Sequence, residues 1–205
     1  MGNVNIAATK TNLLKIKQNL ELTQQGYDLL DEKRKILLQE LTALIDSVDH
    51  SQSKLNEIMQ TAYRILDRAI AQIGRTRLEI LSMAVDIDTQ LAISQRRIMG
   101  VTVPVISLQI KEKIPYCSMT QVPLTVDEAI MSFKEVLKAI VALAEKKIAL
   151  LRLAEETRRT IRKVKALEKI YIPYYKQATK YISERLEEEA RDSFALLKLI
   201  KQYKF

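Results

Sequence analysis

The sequence predicts an all-α fold: a long antiparallel two-helix coiled coil with a small β-hairpin or irregular tip in the middle of the chain. Three observations predict it. An apolar ladder of 3-4-3-4 spacing runs from Ile6 to Ala69 without a register slip, a second helical stretch occupies the C-terminal part, and all prolines but Pro173 gather between them at Pro104, Pro115 and Pro123. The expected layout is one elongated domain over 1–205, with an N-terminal long helix over 5–98, a tip over 99–124 and a C-terminal long helix over 125–203.

The rungs of the first helix are Ile6, Thr9, Leu13, Ile16, Leu20, Thr23, Tyr27, Leu30, Arg34, Leu37, Leu41, Leu44, Val48, Ser51, Leu55, Ile58, Ala62, Ile65 and Ala69. All but Thr9, Thr23, Arg34 and Ser51 are apolar. A mean spacing near 3.5 residues keeps one narrow stripe against a partner helix and implies left-handed supercoiling. At about 1.5 Å per residue such a seam reaches roughly 96 Å and needs an equally long partner. Arg34 and Thr23 in this seam either fix register or, for Arg34, carry the guanidinium to the rim with the stem packed.

Beyond Ala69, Ile73, Ile80, Leu81, Ala84, Val85, Ile87 and Leu91 still recur at helical spacing. An isolated Gly74 costs about 1 kcal/mol relative to Ala, which a long helix tolerates, so this stretch reads as loosened packing rather than a break. From Gly100 the β-branched run Val101, Thr102, Val103, Val105 and Ile106, with Pro104 inside it, forbids regular helix. A second short extended run, Ile114 to Val122, completes the expected hairpin, whose prolines confine its strands to edges.

Helix restarts at Leu124-Thr125-Val126-Asp127-Glu128, where Thr125 and Glu128 have capping-box spacing and both acids suit the positive end of the helix dipole. Ile130, Phe133, Leu137, Ile140, Ala144, Leu151, Ala154 and Ile161 form the expected return stripe. A second register follows through Val164, Leu167, Tyr171, Tyr174, Ala178, Ile182, Leu186, Phe194, Leu197 and Ile200. Pro173 removes one hydrogen bond and is expected to bend or interrupt the helix.

Composition agrees: 47% hydrophobic and 28% charged residues, with Gly 4, Pro 4 and Trp 0, describe a long-helix protein and not a loop-rich globule. Cys117 is the one cysteine, which excludes an internal disulfide framework and suits a reducing cytosol. The start Met1-Gly2-Asn3-Val4-Asn5-Ile6 has no secretory pattern, Ile6 defeats a myristoylation motif, and no apolar run approaches a bilayer span, so a soluble chain is expected. Net charge is +8, but basic and acidic residues interleave along most of the chain, unlike a nucleic-acid footprint.

The residues for catalysis are missing. His50 is the sole histidine, beside Ser51 on a long helix, and Cys117 lies in the tip with no histidine near it in sequence. Gly2, Gly26, Gly74 and Gly100 are isolated, so no phosphate loop exists, and Glu187-Glu188-Glu189 reads as a solvated face. The expectation is a non-enzyme without cofactor or metal, suited to bridging, bracing or force transmission.

Both ends carry a family pattern. Thr9-Lys10-Thr11-Asn12-Leu13-Leu14, then Leu20, Gly26, Leu29-Leu30 and Lys33-Arg34, resembles the D-subunit of the V-type and archaeal A-type rotary ATPases. Arg162-Lys163-Val164-Lys165-Ala166-Leu167-Glu168 with Ile172-Pro173 is similar to that family's Arg-x-Val-Asn-Ala-Leu-Glu segment and its downstream Ile-Pro. The ending, Leu186-Glu187-Glu188-Glu189 through Phe194 and Lys198 to Lys201, is similar too. Lys165 replaces an Asn of the pattern, Ala8 a Pro, and Asp31 a Lys.

The resemblance implies a non-catalytic central rotor shaft, peripheral to the membrane on the cytoplasmic side. Its paired termini would enter a hexamer of catalytic and regulatory subunits. Its middle would lie near the small F-subunit of the stalk and a funnel-shaped subunit capping the ion-carrying ring. Torque would couple ATP hydrolysis or synthesis to proton or sodium transport. The basic cluster Arg152, Arg158, Arg159, Arg162, Lys163 and Lys165 is either a hexamer contact or a solvated face. Tyr171, Tyr174, Tyr175 and Tyr181 either fill a widened seam or touch the hexamer bore; the tip either meets the small partner or only closes the turn. An F-type gamma shaft is a poorer match, because residues 99–124 are too few for its α/β domain. A coiled-coil scaffold or tether in another assembly is the alternative.

Overall fold

The computed structural model describes residues 7–85, 89–111 and 123–203, without the side chains of Ala84 and Tyr203. Its elements are α1 (Lys10–Ile73), α2 (Arg75–Ala84), β1 (Thr89–Ile98), β2 (Val101–Ile110), α3 (Leu124–Ala166), a π-helical turn (Leu167–Tyr171) and α4 (Ile172–Tyr203). The fold is all-α, with long helices and a small antiparallel β-hairpin in mid-chain. It divides into two compact units, one joining Met1–Ile36 with Thr157–Phe205 and the other comprising Leu37–Glu156.

The ladder of α1 is real. Every rung from Leu13 to Ala69 is buried or half-buried, while Thr9 is exposed and Ile6 lies outside the described residues. Within the terminal unit, Ile16 packs with Ala178 and Ile182 of α4, flanked by Leu13, Tyr175 and Leu186. Within the central unit, Val48, Leu55 and Ala62 pack with Val136 and Leu143 of α3. In the central unit Lys146 bonds to Ser51 and Thr125 to Gln72, so α1 and α3 run antiparallel there.

The return helix uses a different register from the expected one. Val136, Leu143, Leu153 and Thr160 are buried, one position before the expected Leu137, Ala144, Ala154 and Ile161. Ile140 and Leu151 are exposed. α3 has apolar residues on several faces, so their spacing alone admits neighbouring registers, and packing selects one. Further along, Val164, Ala178 and Ile182 are buried as expected, while Tyr171, Tyr174, Phe194, Leu197 and Ile200 are exposed.

Polar rungs divide by partner. Thr23 returns its hydroxyl to the Asn19 carbonyl at 2.6 Å, and Arg34 pairs with Asp31 of its own helix at 2.6 Å. Ser51 also returns its hydroxyl to its own helix, at the Ser47 carbonyl at 2.8 Å, and its oxygen accepts from the Lys146 ammonium of α3 at 2.7 Å, while Lys147 donates to Gln52 at 2.7 Å. These two adjacent bonds join α3 to α1 across the seam in the central unit.

Three expectations are corrected. First, α1 does not continue to residue 98. It ends at Gly74, whose φ of 81° and ψ of 153° start α2 in a backbone conformation that L side chains avoid. Second, the strand partner of β2 is β1, with Thr89 opposite Ile110 and Ile98 opposite Val101. The run Ile114 to Val122, with Pro115 and Cys117, lies outside the described residues. The helical spacing of Leu91 with its predecessors was misleading, because Leu91-Ala92-Ile93 also alternates with the period of a strand. A two-residue turn at Met99 and Gly100, both at positive φ (50° and 82°), closes the hairpin as primed turns do. Third, Thr125 lies inside α3, which starts at Leu124, and donates its hydroxyl to Gln72 at 2.6 Å instead of capping the helix.

Pro173 does not interrupt the helix. The π-helical turn just before it inserts a wider loop, in which the Ile172 N–H donates to the Leu167 carbonyl five residues back. One residue of slack separates the proline ring from the carbonyls of the preceding turn, which an unmodified α-helix would bring into collision.

Candidate partner interface

The start of α1 explains the first part of the N-terminal signature. Thr9 accepts the Asn12 backbone N–H on its hydroxyl at 3.2 Å, while the Asn12 amide reaches back to the Ala7 carbonyl at 2.9 Å. Thr9 is thus an N-cap, satisfying a donor that the helix leaves free. Of the signature residues further on, Leu30 faces the seam and Leu29 stands outward, 68% exposed. Lys33 is half-buried. Asp31 holds both Arg34 at 2.6 Å and Lys35 at 3.1 Å.

Gly26 is half-buried in mid-helix, yet a Cβ placed there meets nothing within 4 Å. Nothing inside the chain requires glycine. Gly26→Ala is expected to stabilise the isolated chain by about 1 kcal/mol, since helical glycine carries that cost. Thermal unfolding checks it, and a lowered midpoint contradicts it.

The second signature is structural as well. Val164 is buried, Ala166 and Leu167 are half-buried, and Leu167 supplies the carbonyl of the π-helical turn that accommodates Pro173. Glu168 points outward.

The basic cluster is split by the fold. Arg152 belongs to the central unit, where its guanidinium donates to the Thr102 carbonyl of β2 at 2.8 Å and so fastens the hairpin. Arg158, Arg159, Arg162, Lys163 and Lys165 belong to the terminal unit and are exposed. Arg158, Arg162 and Lys165, spaced i, i+4, i+7, share one outward face of α3.

The same unit carries exposed apolar residues, some of them, such as Tyr171 and Phe194, expected in the seam. Leu14, Leu22 and Leu29 are exposed along one side of α1. Ile170, Tyr171, Tyr174 and Tyr181 are exposed around the π-helical turn and on α4. Tyr175 instead packs against Ile16, Ala178 and Ile182, so the tyrosines divide between core and surface. Near the end of α4, Phe194, Leu196, Leu197, Leu199 and Ile200 stand exposed around the whole helix. These exposed apolar residues are the candidate contact surface of this unit. The available signal was Leu14 and Leu29, each one position off a rung.

His50 is exposed on α1. Glu187 and Glu188 form surface pairs with Arg191 at 3.7 Å and Arg185 at 3.1 Å, as a solvated face does. Among the described residues no group of His, Cys, Asp or Glu is arranged to hold a metal ion. No described helix is long and apolar enough to cross a membrane.

The sequence is similar to those of known proteins. The family model for the D-subunit of ATP synthase matches residues 12–202. The V-type ATP synthase D-subunit of Thermotoga neapolitana is 33% identical, over 97% of this chain and 98% of its own. The A-type ATP synthase D-subunit of Pyrococcus abyssi is 36% identical over 96% and 93%, and that of Methanosphaera stadtmanae 34% over 96% and 94%. With a family model matched over residues 12–202 and relatives one third identical over nearly the whole chain, this chain belongs to the ATP synthase D-subunit family.

Proposed function

We propose that this chain is the non-catalytic central rotor shaft of a V/A-type rotary ATPase, peripheral to the membrane. It transmits torque between a hexamer of catalytic and regulatory subunits and a membrane ring, coupling ATP hydrolysis or synthesis to proton or sodium transport. The observation that carries this is the seam of α1, with every rung from Leu13 to Ala69 buried or half-buried. Torque shears a helix pair along its seam. Knobs that each occupy their own hole resist that sliding, and the Ser51–Lys146 bond adds a donor–acceptor lock.

The exposed apolar residues of α1 and α4 in the terminal unit are the surface offered to the hexamer bore. The central unit is the part offered to the small F-subunit of the stalk and to the funnel-shaped ring-capping subunit. Arg158, Arg162 and Lys165 form the electrostatic contact, meeting acidic groups as the shaft turns.

The test is purification of the ATPase from native membranes, followed by a cleavable cross-link between this chain and a hexamer subunit. The chain is expected to co-purify, turnover to stop on cross-linking, and turnover to return on cleavage. Full turnover with the cross-link in place, or absence of the chain from the complex, overturns the reading. For the basic face, Arg158→Glu with Arg162→Glu is expected to lower coupled ion transport several-fold with little change in stability, because exposed charges contribute little to folding. Ion transport measured per ATP hydrolysed reads this out.

A further inference from the structure

Among the described residues, the hairpin bonds to the helices through β2. β2 buries Val101 and Val103 and bonds through its outer backbone edge, where the Ile106 N–H donates to Glu145 Oε2 at 3.1 Å and the Thr102 carbonyl accepts from Arg152 at 2.8 Å. In an antiparallel pair, opposite residues either exchange both backbone bonds or turn both outward. Thr102 and Ile106 turn outward, so Pro104 between them does too, and its missing N–H costs the ladder nothing. Their partners across the ladder, Arg97, Gln95 and Ile93, with Leu91 next in phase, therefore present N–H and C=O groups at the outer edge of β1.

Among the described residues, no strand pairs with that edge. β1 is exposed from Thr89 to Arg97, with Leu91 58% and Ile93 69% exposed. Open edges are normally protected by charge, proline or a bulge. Here Leu91 to Gln95 carries none, and the ladder is continuous. A two-stranded sheet is also marginal in water and gains from a third strand. The charged residues of the described hairpin are Arg96, Arg97 and Lys111, all basic.

We propose that the outer edge of β1 is a docking edge for an extended segment of a neighbouring subunit, added as a third strand. The incoming segment has apolar residues at alternate positions, to cover Leu91 and Ile93, and a carboxylate placed to meet Arg97. Main-chain bonds supply affinity and alternate side chains supply selectivity, as in other strand additions. The inference rests on the chain's being one subunit of a larger ATPase, and it goes beyond the shaft role by naming a recognition mode.

Residue-resolved amide hydrogen exchange tests it, on the full chain alone and in the purified ATPase. Amides of Gln90, Ala92, Ser94 and Arg96 point to β2 and are expected to be slow in both. Amides of Leu91, Ile93, Gln95 and Arg97 are expected to be fast in the isolated chain and about 100-fold slower in the complex, as ladder amides are. Edge amides that stay fast in a complex containing the chain overturn the proposal alone. Edge amides already slow in the isolated chain also overturn it, with concentration dependence pointing to a second copy and its absence to another segment of the same chain. Absence of the chain from the complex overturns the shaft reading together with this one. Ile93→Pro removes an outward donor without touching the β1–β2 ladder. It is expected to keep Gln90 and Ala92 slow while reducing edge protection in the complex about 10-fold, the effect of one lost hydrogen bond. Ile93→Val restores full protection, and unchanged protection in the proline variant overturns the proposal.

Discussion

Leu37→Ala lowers stability by about 2–5 kcal/mol, the range for truncating a fully buried leucine. Leu37 is 0% exposed and Leu153 1% exposed, and they form one cluster with Val101 of β2, flanked by Leu41 and Leu44. Three elements therefore meet on one side chain. Truncating it leaves a cavity that the surrounding side chains close only in part. Thermal unfolding is expected to show a midpoint lower by on the order of 10 °C for a chain of this length. Exchange at β2 amides should accelerate with it, because Val101 loses its apolar floor. A variant within about 1 °C of the parent would mean that the Leu37 cluster bears no weight. Leu153→Ala should behave alike, whereas Leu151→Ala, on a different face of α3 and 70% exposed, should be nearly silent.

Gly74→Ala is the second large expected effect. Gly74 stands at φ 81° and ψ 153°, a region reserved for glycine, and a Cβ there would meet nothing within 4 Å. The cost is therefore torsional, not steric crowding by neighbours, and amounts to roughly 1–3 kcal/mol if the break is kept. Alanine instead favours a helix running straight on from Ile73. That path would draw Leu78 and Leu81 of α2 away from Val126, Ala129 and Phe133 of α3, with which they line an apolar cavity of about 280 Å³. Either response weakens α2. Faster exchange across Arg75–Ala84, with unchanged exchange around Ile16 and Ile182, is the expected signature. Unaltered α2 amides would show that the glycine conformation is not needed.

These two residues also mark what could be read in advance. Leu37 is a rung, and a 3-4-3-4 ladder of such length admits one helical register on α1. The seam from Leu13 onward was therefore legible, and so was the strand character of Val101 to Ile106. Gly74 was visible as a glycine but not as a break, because isolated glycines also occur inside continuous helices, and Gly26 is one that does. The assignment of Leu91 to helix failed for a related reason. Over a few residues, apolar positions at Ile87 and Leu91 fit a helical period while Leu91 and Ile93 fit a strand, and pairing with Ile106 and Leu108 decides between them.

The interface was legible in part. The cluster from Arg152 to Lys165 is a sequence feature, yet Arg152 is spent on Thr102 while Arg158, Arg162 and Lys165 share an outward face. Proximity in sequence does not reveal which donor a distant carbonyl will claim. The tyrosines divide similarly, with Tyr175 in the core and Tyr174 edge-on to it at 5.5 Å.

From the sequence alone came the helical class, the α1 seam and the family, because local periodicity and motif identity are properties of neighbours in the chain. Tertiary structure alone decided the register of α3, the pairing of β1 with β2, the π-helical turn that accommodates Pro173, and the open edge of β1. Each of those depends on which of several near-equivalent apolar faces or backbone groups finds a partner far away in sequence, and only packing makes that choice.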